Sequence, residues 1–162
     1  MDMQEAATRA DAMLDATMGA VVPEIQWTHD ETTTGSCTVT RYRAVMTIIS
    51  EQRRGSFLGV IERFWKKSGY KITSVNQDRE NPAVFAKSSD GFGIVLAIGD
   101  KGQVFLKVTT PCVRESEVAE PTIKSNGPDY SGDEIPYPNV RSDFWSAGSS
   151  AVPPSPKAGE PR

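Results

Sequence analysis

The residue types able to do chemistry are sparse in this chain. His29 is the single histidine, and it stands beside Asp30 and Glu31. Three consecutive residues rarely converge on one ion or one proton, because neighbouring side chains point apart, so this triplet reads as a solvated loop. A Ser-His-Asp hydrolase would have to recruit the same histidine, and no Gly-x-Ser-x-Gly elbow is present. Gly91, Gly93, Gly99 and Gly102 flank strand-like stretches and not a strand-to-helix turn, which makes them hairpin glycines and not a phosphate loop. The carboxylates Asp78, Glu80, Asp90 and Asp100 fall in separate turns. No catalytic residue, metal ligand or cofactor site is expected, and the chain reads as a non-enzyme, with a small enzyme using these turn carboxylates as the lesser alternative.

Two groups of residues suit binding. Arg53, Arg54, Arg63, Lys66 and Lys67 gather along one helical stretch and could meet an anionic surface, although the polar side of an amphipathic helix has the same composition. Farther on, Tyr137, Phe144 and Trp145 are aromatics in a polar stretch, suited either to docking on the domain or to recognition by another protein. A net charge of −3 and a pI near 5.2 supply no general attraction to nucleic acid. No apolar run approaches the roughly 20 residues of a membrane helix, so the chain is not expected to span a bilayer.

The elements that must position these groups follow from periodicity. Ala6, Ala10, Met13, Leu14 and Thr17 recur at three and four, predicting an amphipathic helix over 2–18 that ends before Val22-Pro23. Residues 27–31 read as irregular. Over 38–49, Tyr42, Ala44, Met46 and Ile48 alternate against Arg41, Arg43 and Thr47, a strand half exposed at its start. Phe57, Leu58, Ile61, Phe64 and Trp65 mark a second helix with Ser56 as a candidate cap and Ser68-Gly69 as its stop. Four short strands follow at 70–75, 83–87, 92–98 and 104–109, separated by turn residues. The expected fold is α+β: a five-stranded antiparallel sheet, built from one strand, a helix and a four-strand meander, with two helices on one face. Residues 1–113 form the single domain; 114–162, rich in Pro, Ser, Gly and acidic residues, read as a largely disordered tail.

Cys37 precedes the first of these strands and Cys112 follows the last. If the two strands are antiparallel neighbours, both cysteines meet at one corner of the sheet. The second helix must then cross the sheet: about 12 residues span about 18 Å, and four strand spacings amount to about 19 Å. A disulfide fits this geometry. Two reduced structural cysteines in a cytosolic protein are the alternative.

Trp27, Thr34-Gly35-Ser36-Cys37, Phe64-Trp65 with Ser68-Gly69-Tyr70, Asp90-Gly91-Phe92 and Thr110-Pro111-Cys112 together resemble small secreted proteins and lipoproteins of high-GC Gram-positive, Streptomyces-like actinobacteria. The resemblance covers roughly residues 5 to 113. It implies an extracytoplasmic domain, often anchored by a lipid upstream, of mostly uncharacterised role. The acidic, polar stretch Met1-Asp2-Met3-Gln4-Glu5 does not read as a secretory leader or lipidation site, so the expectation is either a cytosolic protein or a sequence that begins after a leader has been removed. The expected function is contact with a protein or cell-envelope component outside the cytoplasm; a cytosolic adaptor is the alternative.

Overall fold

Helix formation begins at the second residue. Asp2 accepts a hydrogen bond from the Glu5 amide at 2.8 Å, and the Glu5 carboxylate accepts one from the Asp2 amide at 3.0 Å. This reciprocal cap starts helix α1, Met3–Gly19. The computed structural model of the chain describes residues 1–149. Ala6, Ala10, Met13, Leu14 and Thr17 are buried as their spacing predicted, and Met3, Ala7, Asp11 and Met18 join them.

After α1 come β1 (Trp27–His29), β2 (Thr33–Thr34) and β3 (Val39–Val45), then α2 (Glu51–Lys67). Ser50, not Ser56, caps α2: its side chain accepts from the Arg53 amide at 3.3 Å. Residues 51–54 are polar helix formers without an apolar stripe, so a pattern reading starts the helix one turn and a half too late. The stop is where it was expected, with Gly69 at φ 86° and the Tyr70 amide donating back to the Trp65 carbonyl at 2.9 Å. The remaining strands are β4 (Lys71–Asn76), β5 (Ala83–Lys87), β6 (Gly93–Ile98) and β7 (Val104–Thr109).

All pairings are antiparallel, in the order β1-β3-β7-β6-β5-β4, with β2 also on β3. The class is the α+β one expected, but the open sheet has seven strands and not five. The two additions, β1 and β2, are three and two residues long. Strands that short carry no readable alternation, and all three residues of β1 are buried, which removes the period-two signal altogether. The five expected strands do run in the anticipated order, with α2 carrying the chain from β3 across to β4. Thr40 faces Thr109 at the end of the β3–β7 ladder, and Cys37 and Cys112 beyond it form a disulfide with Cα atoms 4.8 Å apart.

Both helices lie on one sheet face, α1 over β3 and β7, α2 over β4 and β5. Met13 and Leu14 of α1, Phe57, Ile61 and Trp65 of α2, and Ile94, Leu96, Leu106 and Val108 of the sheet share one apolar core. Trp65 joins the helices directly: its indole N–H donates to Thr17 Oγ1 at 3.1 Å. Among the described residues, no helix is long and apolar enough to cross a membrane.

Residues 114–149 contain no helix or extended strand, only isolated bridges at Arg114 and Val140. They nevertheless follow the domain closely. The Met3 amide donates to the Arg114 carbonyl, the Ile48 amide to Val140 and the Ser50 amide to Trp145. Ile135 packs on Ala44 and Met46, while Trp145 inserts beside Phe57 and donates to the Pro23 carbonyl at 2.8 Å. The rest of the expected tail, 150–162, lies outside the described residues.

Candidate binding cleft and the buried charge pairs

Alternation of apolar and charged residues ordinarily places arginines in water. In β3 the faces are the other way round. Arg41 and Arg43 turn toward α1, with 2% and 0% of their surface exposed, while Tyr42 points to the half-open side. What makes this affordable is the spacing of two aspartates on α1. Asp11 and Asp15 stand four helical residues apart, about 6 Å along the axis, and Arg41 and Arg43 stand two strand residues apart, about 6.7 Å. The two intervals match, so each arginine meets its own carboxylate. Arg41 Nε lies 3.2 Å from Asp11 Oδ1, and Arg43 Nη2 pairs with Asp15 Oδ1.

The first pair is the more deeply buried, with 3% of the Arg41 side chain and 11% of the Asp11 side chain exposed. Arg41 also donates to Thr32 Oγ1 and to the Ala119 carbonyl, both at 2.9 Å. Burial pushes the Asp11 carboxyl above its ordinary value, even though Arg41, Arg43 and His29 pull it down. The second pair is more open. Asp15 keeps 34% of its side chain in solvent, and the Arg43 guanidinium lies over the Trp27 ring at 3.8 Å from its centroid. Burial lowers the Arg43 pKa from its ordinary value, opposed by the hydrogen bond and charge of Asp15. Arg43 Nε and Nη1 have no hydrogen-bond partner among the described residues.

Arg43, Asp15 and Trp27 form the base of a cleft of about 410 Å³ whose remaining lining is Met18, Gly19, Val21, Val22, Glu24, Ile25 and Asn126. The far wall belongs to the irregular segment. Asn126 accepts from the Trp27 amide at 2.8 Å and donates to the Ile25 carbonyl at 2.8 Å and to Glu24 at 3.3 Å. Ser125 accepts from the His29 amide, and the His29 ring meets the Ile123 carbonyl. These bonds occupy the outer edge of β1, which would otherwise stand open beside the cleft. His29 is therefore 7% exposed in a strand, with its ring edge-on to Trp27, and not in a solvated loop. Tertiary cover decided that point, and the sequence around His29 carried no sign of it.

The basic residues of α2 fall into two groups. Arg53 and Arg54 occupy its first turn: Arg53 stacks on Phe144 at 4.0 Å and donates to its carbonyl, and Arg54 reaches the turn at Gly102. Arg63, Lys66 and Lys67 are exposed at the other end, Lys66 paired with Glu62 at 3.1 Å. Of the aromatics, Trp145 is 1% exposed, Phe144 is partly exposed, and Tyr137 donates to Asp100 Oδ2 at 2.8 Å, which raises the Tyr137 pKa. Cys37 and Cys112 lie at the opposite end of β3 from Val45. Arg41, Arg43, Asp11 and Asp15 were not singled out from sequence. The signal was present as two carboxylates four apart on the predicted helix and two arginines two apart in the predicted strand.

No family model and no curated protein matches the chain. Among solved structures the chain is similar to a DUF4853 family protein from Actinomyces odontolyticus, at 10% identity and a TM-score of 0.41, over 76% of this chain and 78% of that one. That organism is an actinobacterium, though not a Streptomyces.

Proposed function

We propose that this chain is an extracytoplasmic binding domain that works by non-covalent contact with a protein or cell-envelope component, without catalysis. The observation that carries this reading is the Cys37–Cys112 disulfide, which joins the ends of two central strands. Bonds of this kind persist in oxidising compartments and are reduced in the cytosol. The exposed cations Arg63, Lys66 and Lys67 at the end of α2 are the part of the surface suited to anionic envelope polymers.

Thiol titration of protein taken from its native compartment, denatured without reductant, tests the reading. No free thiol is expected. Two free thiols per chain would return the protein to the cytosol and remove the argument.

A further inference from the structure

We propose that the sheet face turned away from the helices binds a linear acidic polysaccharide laid across the strands from β4 to β3. Ile94, Leu96 and Ile98 of β6 and Val104, Leu106 and Val108 of β7 are buried in the core under the helices, so the residues between them point the other way. The pairing register lines those residues up in two rows. Phe85, Val95, Lys107 and Tyr42 stand opposite one another across β5, β6, β7 and β3. Two residues along each strand, Lys71, Lys87, Gly93, Thr109 and Thr40 form the second row. Every residue of both rows is half-buried or exposed.

Charge selects an anion for this face. Lys71, Lys87 and Lys107 make no ion pair or hydrogen bond among the described residues. Lys71 and Lys87 are direct cross-strand partners, an arrangement of like charges that destabilises a sheet and that a bound anion would offset. A lysine on an edge strand also guards against stray strand pairing, which accounts for Lys71; Lys87 and Lys107 belong to inner strands, where that role does not arise. The cations at the end of α2 continue into this face, because Lys71 follows Lys67 by four residues around the turn at Gly69.

Shape and the remaining chemistry select sugar rings. Phe85 is 38% exposed and Tyr42 half-buried, and the apolar faces of sugar rings stack on aromatic side chains presented in this way. Tyr42 and Val95 also line a hollow of about 280 Å³ with Ala97, Phe105, Lys107 and Asp30. Gly93 opens a trough in the second row, since a Cβ there meets nothing within 4 Å. A chain in that trough meets ammonium groups at one end and, at the other, the hydroxyls of Thr40 and Thr109, which lie 3.0 Å from each other. Lys87 and Lys107 stand two strands and two residues apart, about 12 Å by sheet geometry. That interval suits charges separated by neutral rings, whereas every nucleotide of a nucleic acid carries one. The inference deepens the proposed function and rests on its extracytoplasmic compartment.

The test is fluorescence anisotropy of the whole chain with labelled hyaluronate, in which charged and neutral sugars alternate. Dextran, poly-L-glutamate and oligothymidylate are measured in parallel. Dextran lacks charge, poly-L-glutamate lacks rings, and oligothymidylate is a nucleic acid; each is expected to bind at least about fivefold more weakly than hyaluronate. Two variants locate the site. Lys87→Glu gives Lys71 an opposite charge, so it should melt no lower than the native chain while losing at least about fivefold in hyaluronate affinity. Phe85→Ala should lose as much by removing the exposed ring. Lys124→Glu, the same change of charge on the segment beside β1, should bind as the native chain does. The proposal is overturned by hyaluronate failing to bind, by any of the three other polymers binding as tightly, by Lys87→Glu or Phe85→Ala binding as the native chain does, or by Lys124→Glu losing as much. Thiol content decides the compartment separately, so a chain without free thiols that binds no hyaluronate overturns this inference and leaves the proposed function standing.

Discussion

Helices α1 and α2 have the same length, seventeen residues, and lie on the same face of the sheet, yet α1 buries nine side chains and α2 three. The difference comes from what lies on their far sides. α1 runs over the central strands β3 and β7 and is covered again by the segment after residue 113, through Gln4 bonded to Ser116 and Ala119. α2 runs over the edge strand β4 and its neighbour β5, and among the described residues Phe144 and Trp145 meet it from outside at its first turns. A helix covered on two sides can bury charge, because its carboxylates find fixed partners. A helix covered on one side keeps its charges in water.

The sharpest way to break this comparison is to remove the few anchors of α2. Trp65→Ala deletes a fully buried indole and its bond to Thr17, and should cost about 3–5 kcal/mol of unfolding free energy in a denaturant titration. Trp145→Ala should approach that loss, since its ring fills the space beside Phe57. A loss under about 1 kcal/mol would mean that the irregular segment contributes little to holding α2.

Opening the disulfide acts on the α1 side. Cys37→Ser with Cys112→Ser frees a loop of 75 residues and is expected to cost about 2–4 kcal/mol. Thermal melting with and without reductant provides the same comparison on the native chain. The caps should be more evenly matched: Asp2→Ala and Ser50→Ala each remove one side-chain acceptor from a helix start and should cost about 1 kcal/mol. An effect confined to Asp2 would show that the start of α2 is set by Trp145 and not by its own cap.

The smallest effect concerns pH. The Asp11 carboxyl is raised by burial, against the pull of Arg41, Arg43 and His29. Between its ordinary value of 3.8 and the raised one, the folded chain holds a proton that the unfolded chain has released. Asp11 therefore makes stability fall as pH rises through that window. Asp11→Asn should remove this component, seen as a less negative slope of unfolding free energy against pH just above 3.8; an unchanged slope would show that Asp11 titrates as it does in the unfolded chain.

Much of the scaffold could be read from residue order. The stripe Ala6, Ala10, Met13, Leu14 and Thr17 faces the core as its spacing requires, and Gly69 ends α2 because it alone tolerates the left-handed turn there. The cysteine corner was also legible, since strand direction and helix length leave few ways to close the sheet. The cleft was not. Arg41 and Arg43 look like a solvated face to any reading that takes one element at a time, and β1 offers no periodicity to mark it as a strand.

Local periodicity, turn chemistry and the separation of the cysteines thus prescribe the helices, the meander and the disulfide, because each depends on residues near one another or on a single crossing distance. The inward turn of the β3 arginines, the burial of His29 and the wall formed by Ser125 and Asn126 depend on groups up to about a hundred positions apart. A charge can be buried only where an opposite charge is held against it. Whether Arg43 faces water or a cleft is therefore settled when α1 brings Asp15 over the sheet, and not before.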